Sequence, residues 1–166
     1  MKIARSLVAF ILCFCLVVVL SNSVLVEAKY NHSSFIKKAE RKLKQKKYKG
    51  IEILDDFVYA NGKKGDIYIH LMKNAKQTKK YYKIWLGNLI HNSNYYESFS
   101  KKNVDKNTVW MTDKNNGYFE CCVFKKNTKK CRIYEIDRSF KHKPKAKKLR
   151  KIKKSIIKEV NAFDRL

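Results

Sequence analysis

The alternation of apolar and polar positions divides the chain into a helical start, a strand-rich middle and a helical end. Ile36, Ala39 and Leu43 recur at helical spacing while Lys37, Lys38, Arg41, Lys42 and Lys44 fall elsewhere. Ser33 or Ser34 can cap this helix, which ends near Lys47, before Gly50. From Gly50 the period shortens. "GIEILDDFVYANG" and "DIYIHLM" flank the turn chemistry of "GKKG" and read as a β-hairpin, with Ile67, Ile69 and Leu71 alternating against Tyr68 and His70. "KKYYKIWLGNLI" is rich in aromatic and β-branched residues and reads as a third strand, with Gly87 as a bulge. "HNSNYYESFSKKNVDKN" is polar and reads as a long connection. "TVWMTD", "GYFECCVF" and "CRIYEID" complete the strands, separated by turns at Asn115-Asn116-Gly117 and Asn127-Thr128.

The end of the chain returns to the helical period. Pro144 suits a first turn, and Leu149, Ile152, Ile156, Val160 and Phe163 follow at spacings of three and four. Helix, strands and helix in that order predict an α+β domain: an N-terminal helix, an antiparallel sheet of about five to six strands covered on one face, and a C-terminal basic amphipathic helix.

The first residues change the picture of location. Lys2 and Arg5 precede an apolar run from Leu7 to Leu20, and Val26 and Ala28 stand at the −3 and −1 positions of a cleavage site. That is the plan of a secretory signal peptide over residues 1–28, which leaves residues 29–166 as a single basic domain outside the cell. The alternative is an N-terminal membrane anchor, although the run is shorter than the roughly 20 residues a spanning helix needs. Cys13 and Cys15 lie inside the run and leave with the signal. Asn31-His32-Ser33 forms an N-x-S glycosylation sequon.

Charge then narrows the function. The 166 residues carry 39 Lys and Arg against 14 Asp and Glu, a net charge of +25. Removing the signal takes only Lys2, Arg5 and Glu27 of these. Such a chain is drawn to polyanions: cell-envelope polymers, anionic lipid at a membrane surface, sulfated glycan or nucleic acid. The aromatic content of 13% excludes a disordered basic tail. From Arg138 to Lys158 there are eleven basic residues and no acid. Lys145, Lys147, Lys148, Arg150, Lys151, Lys153 and Lys154 are the candidate polyanion-binding set, because helical winding gathers them around a narrow apolar stripe. "KKYYKIW" adds Tyr81, Tyr82 and Trp85 beside Lys79, Lys80 and Lys83, a pattern that can stack bases or sugar rings.

Two other classes stay open: a secreted basic nuclease or other hydrolase, and a structural or partner-binding exoprotein. The acid–base inventory is His70, His91, Glu97, Asp113, Glu120, Glu135 and Asp137. A turn centred on Asn127-Thr128 puts Glu120 opposite Glu135, where two facing carboxylates can split their pKa values or share a bridging lysine. No spacing specifies catalytic residues; H-E-x-x-H, G-x-S-x-G, the P-loop and paired CxxC are absent from the sequence. No cofactor motif is present either. Three cysteines and the scattered His70, His91 and His142 do not form a zinc pattern. Secretion favours oxidation. In the expected register Cys122 and Cys131 share a face one diagonal step apart, so these two are the favoured disulfide, with Cys121 a small buried hydrophobe; a one-residue register slip would move the bridge to Cys121.

Overall fold

The computed structural model describes residues 31–62, 65–91, 98–115 and 117–166. The signal segment 1–28 and Glu97 lie outside them. Among the described residues three helices and seven strands follow in order: α1 Ser33–Gln45, β1 Lys49–Leu54, β2 Phe57–Gly62, β3 Gly65–Leu71, α2 Ala75–His91, β4 Ser98–Asp105, β5 Thr108–Asn115, β6 Tyr118–Asn127, β7 Arg132–Phe140 and α3 Ala146–Asp164. The strands form one antiparallel sheet in the order β1-β2-β3-β7-β6-β5-β4. The α+β class expected from the pattern holds, with seven strands rather than five or six.

The extra strands have local causes. Asp55-Asp56 breaks "GIEILDDFVYANG" into β1 and β2, which pair with each other. The polar "SFSKKNVD" forms β4 at the sheet margin. An edge strand is paired on one side only, and lysines on it discourage further pairing, so β4 needs no apolar run.

The stretch expected as a third strand is the helix α2. Gln77 N–H donates to Asn74 Oδ1 at 2.7 Å, and Gln77 Oε1 accepts from Lys73 N–H at 2.7 Å. This reciprocal cap starts the helix, and Asn followed three residues later by Gln is its sequence mark. Thr78 and Tyr82 then repeat at a helical interval and are both buried. Helical spacing overrode the β propensity of the aromatic residues.

Period two along the strands sorts side chains between two faces. One face carries Val58, Ala60, Ile67, Ile69, Val123 and Ile136, and α1 and α3 cover it. Phe35, Ala39 and Leu43 of α1 are buried there, as are Ile156, Val160 and Phe163 of α3. Leu149 and Ile152 pack at the margin, so the expected stripe is the seam of α3. Pro144 lies just outside the helix, since Lys145 is its N-cap. The other face is not bare. There Tyr82 of α2 stacks on Phe124 at 4.9 Å over Val109, Met111 and Ile133.

The β6–β7 turn is longer than expected. Asn127 pairs with Arg132, leaving Thr128 to Cys131 as the loop. Asn127 Oδ1 accepts from Lys130 N–H at 3.0 Å, and Cys131 takes a left-handed φ of 52°. The register therefore shifts by four residues: Glu120 faces Ser139, and Glu135 faces Phe124. The expected Glu120–Glu135 pair does not exist. The Cys122–Cys131 bridge is not formed either. Cys122 faces Asp137, five ladder steps from Asn127, or about 17 Å at 3.4 Å per residue. A disulfide tolerates Cα separations of only about 4.4–6.8 Å. Cys121 is buried on the helix-covered face, as expected.

Candidate functional site

The two helices on the core face form one outer layer. Lys42 Nζ donates to Ala162 O at 2.8 Å, and Lys46 Nζ lies 2.7 Å from Glu159 Oε1. As α1 advances, its contacts on α3 recede, so the two helices run in opposite senses. Their buried seams face the sheet, and helical winding turns Lys37, Arg41 and Lys44 of α1 and Lys147, Lys151, Lys154 and Lys158 of α3 outward, all exposed, with α1 alongside the C-terminal half of α3.

The acids of this layer are consumed within it or by the sheet beneath it. Glu40 pairs with Lys44 at 2.6 Å. Glu159 holds Lys46 and Arg138, each at 2.7 Å. Asp164 takes Lys125 at 2.7 Å and the Asn127 amide at 2.7 Å. Burial pushes the Asp164 carboxyl up, but the hydrogen bonds from Lys125 and Asn127 and the Lys125 charge outweigh it and hold the group below its ordinary value. Lys44 apart, the outward cations Lys37, Arg41, Lys147, Lys151, Lys154 and Lys158 have no acid paired with them among the described residues. The first turn of α3 has neither a side-chain cap nor an acid, so the positive end of the helix dipole adds to the same sign.

Every residue of the expected binding set belongs to α3 or its N-cap. Lys145, Lys147, Lys148, Arg150, Lys151 and Lys154 are exposed. Lys153 differs: it is half-buried, with its ammonium 5.8 Å from the centre of the Trp110 ring. The contribution of α1 was not part of that set. Its lysines were visible in the sequence, but their alignment with α3 is a tertiary fact carried by the Lys42 and Lys46 contacts.

Most other acids lie on the opposite sheet face. Asp113 faces Glu120, Glu120 faces Ser139, and Glu135 and Asp137 share that side. Burial pushes the Asp113 carboxyl up to about 6, with Glu120 adding to the effect. Burial likewise raises Asp137 to about 6, although the Asp66 N–H it accepts works against the shift. His70 Nε2 lies 3.9 Å from Glu135 Oε2. The His70 ring packs against Tyr81 at 5.3 Å and Trp85 at 5.9 Å. Tyr81 and Trp85 stack on each other, and Tyr82 is committed to Phe124. Tyr82 is buried, whereas Tyr81 and Trp85 are half-buried against the same cluster. His91 stands exposed at the C-terminal end of α2.

Comparison with known proteins identifies no relative. No family model, curated protein or solved structure matches the chain. Its reading therefore rests on geometry and charge.

Two grooves flank the N-terminal half of α3. A notch of about 860 Å³ opens where β7 outruns the β2–β3 hairpin, between Lys148 and Lys151 on one wall and Asp66 and Asp137 on the other. A second groove of about 370 Å³ lies between α3 and the β4–β5 pair. Among the described residues, no group of His, Cys, Asp and Glu is arranged to hold a metal ion. Among the same residues, no helix is long and apolar enough to cross a membrane.

Proposed function

We propose that this is a secreted, cationic protein that binds polyanionic surfaces through the outer layer of α1 and α3. The sorting of charge carries this reading: the acids of α1 and α3 are spent on Lys44, Lys46, Lys125 and Arg138, Asp113 and Glu135 sit across the sheet, and the acids nearest α3, Asp66, Glu120 and Asp137, are confined to the notch beside Lys148 and Lys151. A solvated surface would intersperse the two signs. An unmixed basic layer instead meets many anionic groups together and releases their counterions. The N-terminal segment of basic residues, apolar run and small-residue exit supports a target outside the cell.

The test is the salt profile of the mature protein on heparin and on duplex DNA. Binding should persist well above physiological salt. On DNA, replacing Lys147, Lys151, Lys154 and Lys158 by Gln should lower the slope of log K against log salt by about 3–4. Elution near physiological salt, or an unchanged slope, would refute the reading. Salt-insensitive binding to an acidic protein would support the partner-binding alternative.

A hydrolase is favoured by one observation. Asp137, raised to about 6, borders the notch that Lys148 and Lys151 line. A carboxyl half-protonated near pH 6 can give or take a proton, and the lysines can hold an anionic substrate beside it. Incubation with DNA, RNA and sulfated glycans tests this. Product formation that Asp137→Asn abolishes, with the fold intact, would establish catalysis; no products from any of the three would remove it.

A further inference from the structure

We infer that the groove between α3 and the β4–β5 pair is a subsite for a single strand of sulfated or phosphorylated polysaccharide. The inference rests on the polyanion reading and adds residues outside the helix, Lys102 and Lys143 foremost.

Three elements build the groove. In the β4–β5 ladder Ser100 faces Thr112 and Lys102 faces Trp110, on the side turned toward α3. Lys143 approaches from the segment before α3, and Arg150 and Lys153 come from the flank of the helix. Four cations thus surround about 370 Å³, with no acid among the lining residues. That volume is at the small end of ligand pockets, about 300–1,000 Å³. Like charges gathered around a concave space repel, and an anion placed between them relieves the repulsion. The arrangement is partly preorganised, because Lys153 is held over the Trp110 ring at 5.8 Å.

The floor decides between ligand classes. Trp110 is only 6% exposed, and Lys153 lies over its ring, so no aromatic face remains for a nucleobase. Single-stranded nucleic-acid sites depend on such faces. A duplex is convex and stiff; it can rest on the outer ridge of α3 but cannot enter a groove beside it. What the groove offers is cations for tetrahedral oxyanions and the Ser100 and Thr112 hydroxyls, which both donate and accept. Sugar hydroxyls need such partners, and a flexible glycan strand carries its sulfate or phosphate groups at its sides.

Titration calorimetry at physiological salt tests this with three probes: a heparin tetrasaccharide, a phosphorylated mannose oligosaccharide and a short DNA duplex. The groove variant is Lys102→Gln with Lys143→Gln; the ridge variant is Lys147→Gln with Lys154→Gln. The groove variant should lose about tenfold in affinity for at least one saccharide and little for the duplex. The saccharide that loses more identifies sulfate or phosphate as the group held. The ridge variant should weaken the duplex. If only the ridge variant weakens saccharide binding, the groove assignment falls and the polyanion reading stands. If neither variant weakens any probe, both fall. Equal losses on saccharide and duplex from the groove variant would overturn the saccharide preference. Circular dichroism of each variant confirms that the fold is retained.

Discussion

Arg138 Nη2 lies 2.7 Å from Glu159 Oε2, and the two side chains are only 9% and 12% exposed. The pair joins β7 to α3, and through Lys46 it also joins α1. It therefore fixes the basic layer onto the sheet. Glu159→Gln would leave the Arg138 charge buried with no counter-charge. Removing one partner of such a pair costs about 3–5 kcal/mol. Urea unfolding should report a loss near the lower figure, because Arg138 also donates to the Asp137 carbonyl at 2.6 Å. A loss below about 1 kcal/mol would place the pair with ordinary surface bridges.

Asp113 and Asp137 make stability depend on pH in the direction opposite to most carboxylates. Their folded pKa values, raised to about 6 from 3.8, mean that the folded state binds protons more tightly than the unfolded chain. Their contribution is therefore most favourable below pH 3.8 and declines as pH rises toward 6. Asn resembles the protonated form. Asp113→Asn should gain stability over the natural protein between pH 4 and pH 7, with the difference levelling above about 6. Thermal melts of both proteins across that range check it. A difference independent of pH would show that Asp113 titrates normally.

Gly65 cannot take a side chain. Its φ is +122°, and a Cβ built there would stand 2.2 Å from the Asp137 carbonyl oxygen. Gly65→Ala must move the start of β3 away from β7. The expected cost is about 2 kcal/mol or more, with faster amide exchange in β2 and β3 than in β5 and β6. Uniform exchange across the sheet would contradict this.

The thiols yield a chemical prediction. Burial raises the Cys121 thiol to about 12 and Cys122 well above its ordinary value. Only the thiolate reacts readily. Alkylating reagent should leave Cys121 and Cys122 untouched in the folded protein and modify both in denaturant. Peptide mapping of oxidised, folded protein should find no Cys122–Cys131 link. Finding one would mean that the β6–β7 register is wrong.

Much of this arrangement is legible in the sequence, and the exceptions are physical. The seam of α3 follows from Leu149 to Phe163 because helical spacing survives any context. The alternation of Ile67, Ile69 and Leu71 survives for the same reason in β3. The α2 segment misleads because Tyr and Trp favour strands, and its Asn74–Gln77 cap carries the contrary signal. The carboxylate pairing misleads because moving the centre of the turn by two residues, from Asn127-Thr128 to Lys129-Lys130, moves every partner by four positions. The basic helix is visible at once. The groove beside it is not, because Lys102 and Arg150 meet only after the β4–β5 hairpin folds under α3.

The sorting of charge across the sheet also gives the molecule a direction. Its most basic end is the layer of α1 and α3; the face that carries Asp113 and Glu135 is less basic, although α2 brings Lys76, Lys79, Lys80 and Lys83 to it. Near an anionic surface such a body experiences a torque before it makes contact. It turns, and the helices arrive first. A fluorophore or an immobilisation tag belongs on the exposed side of α2, where it would face the medium and leave the landing side clear.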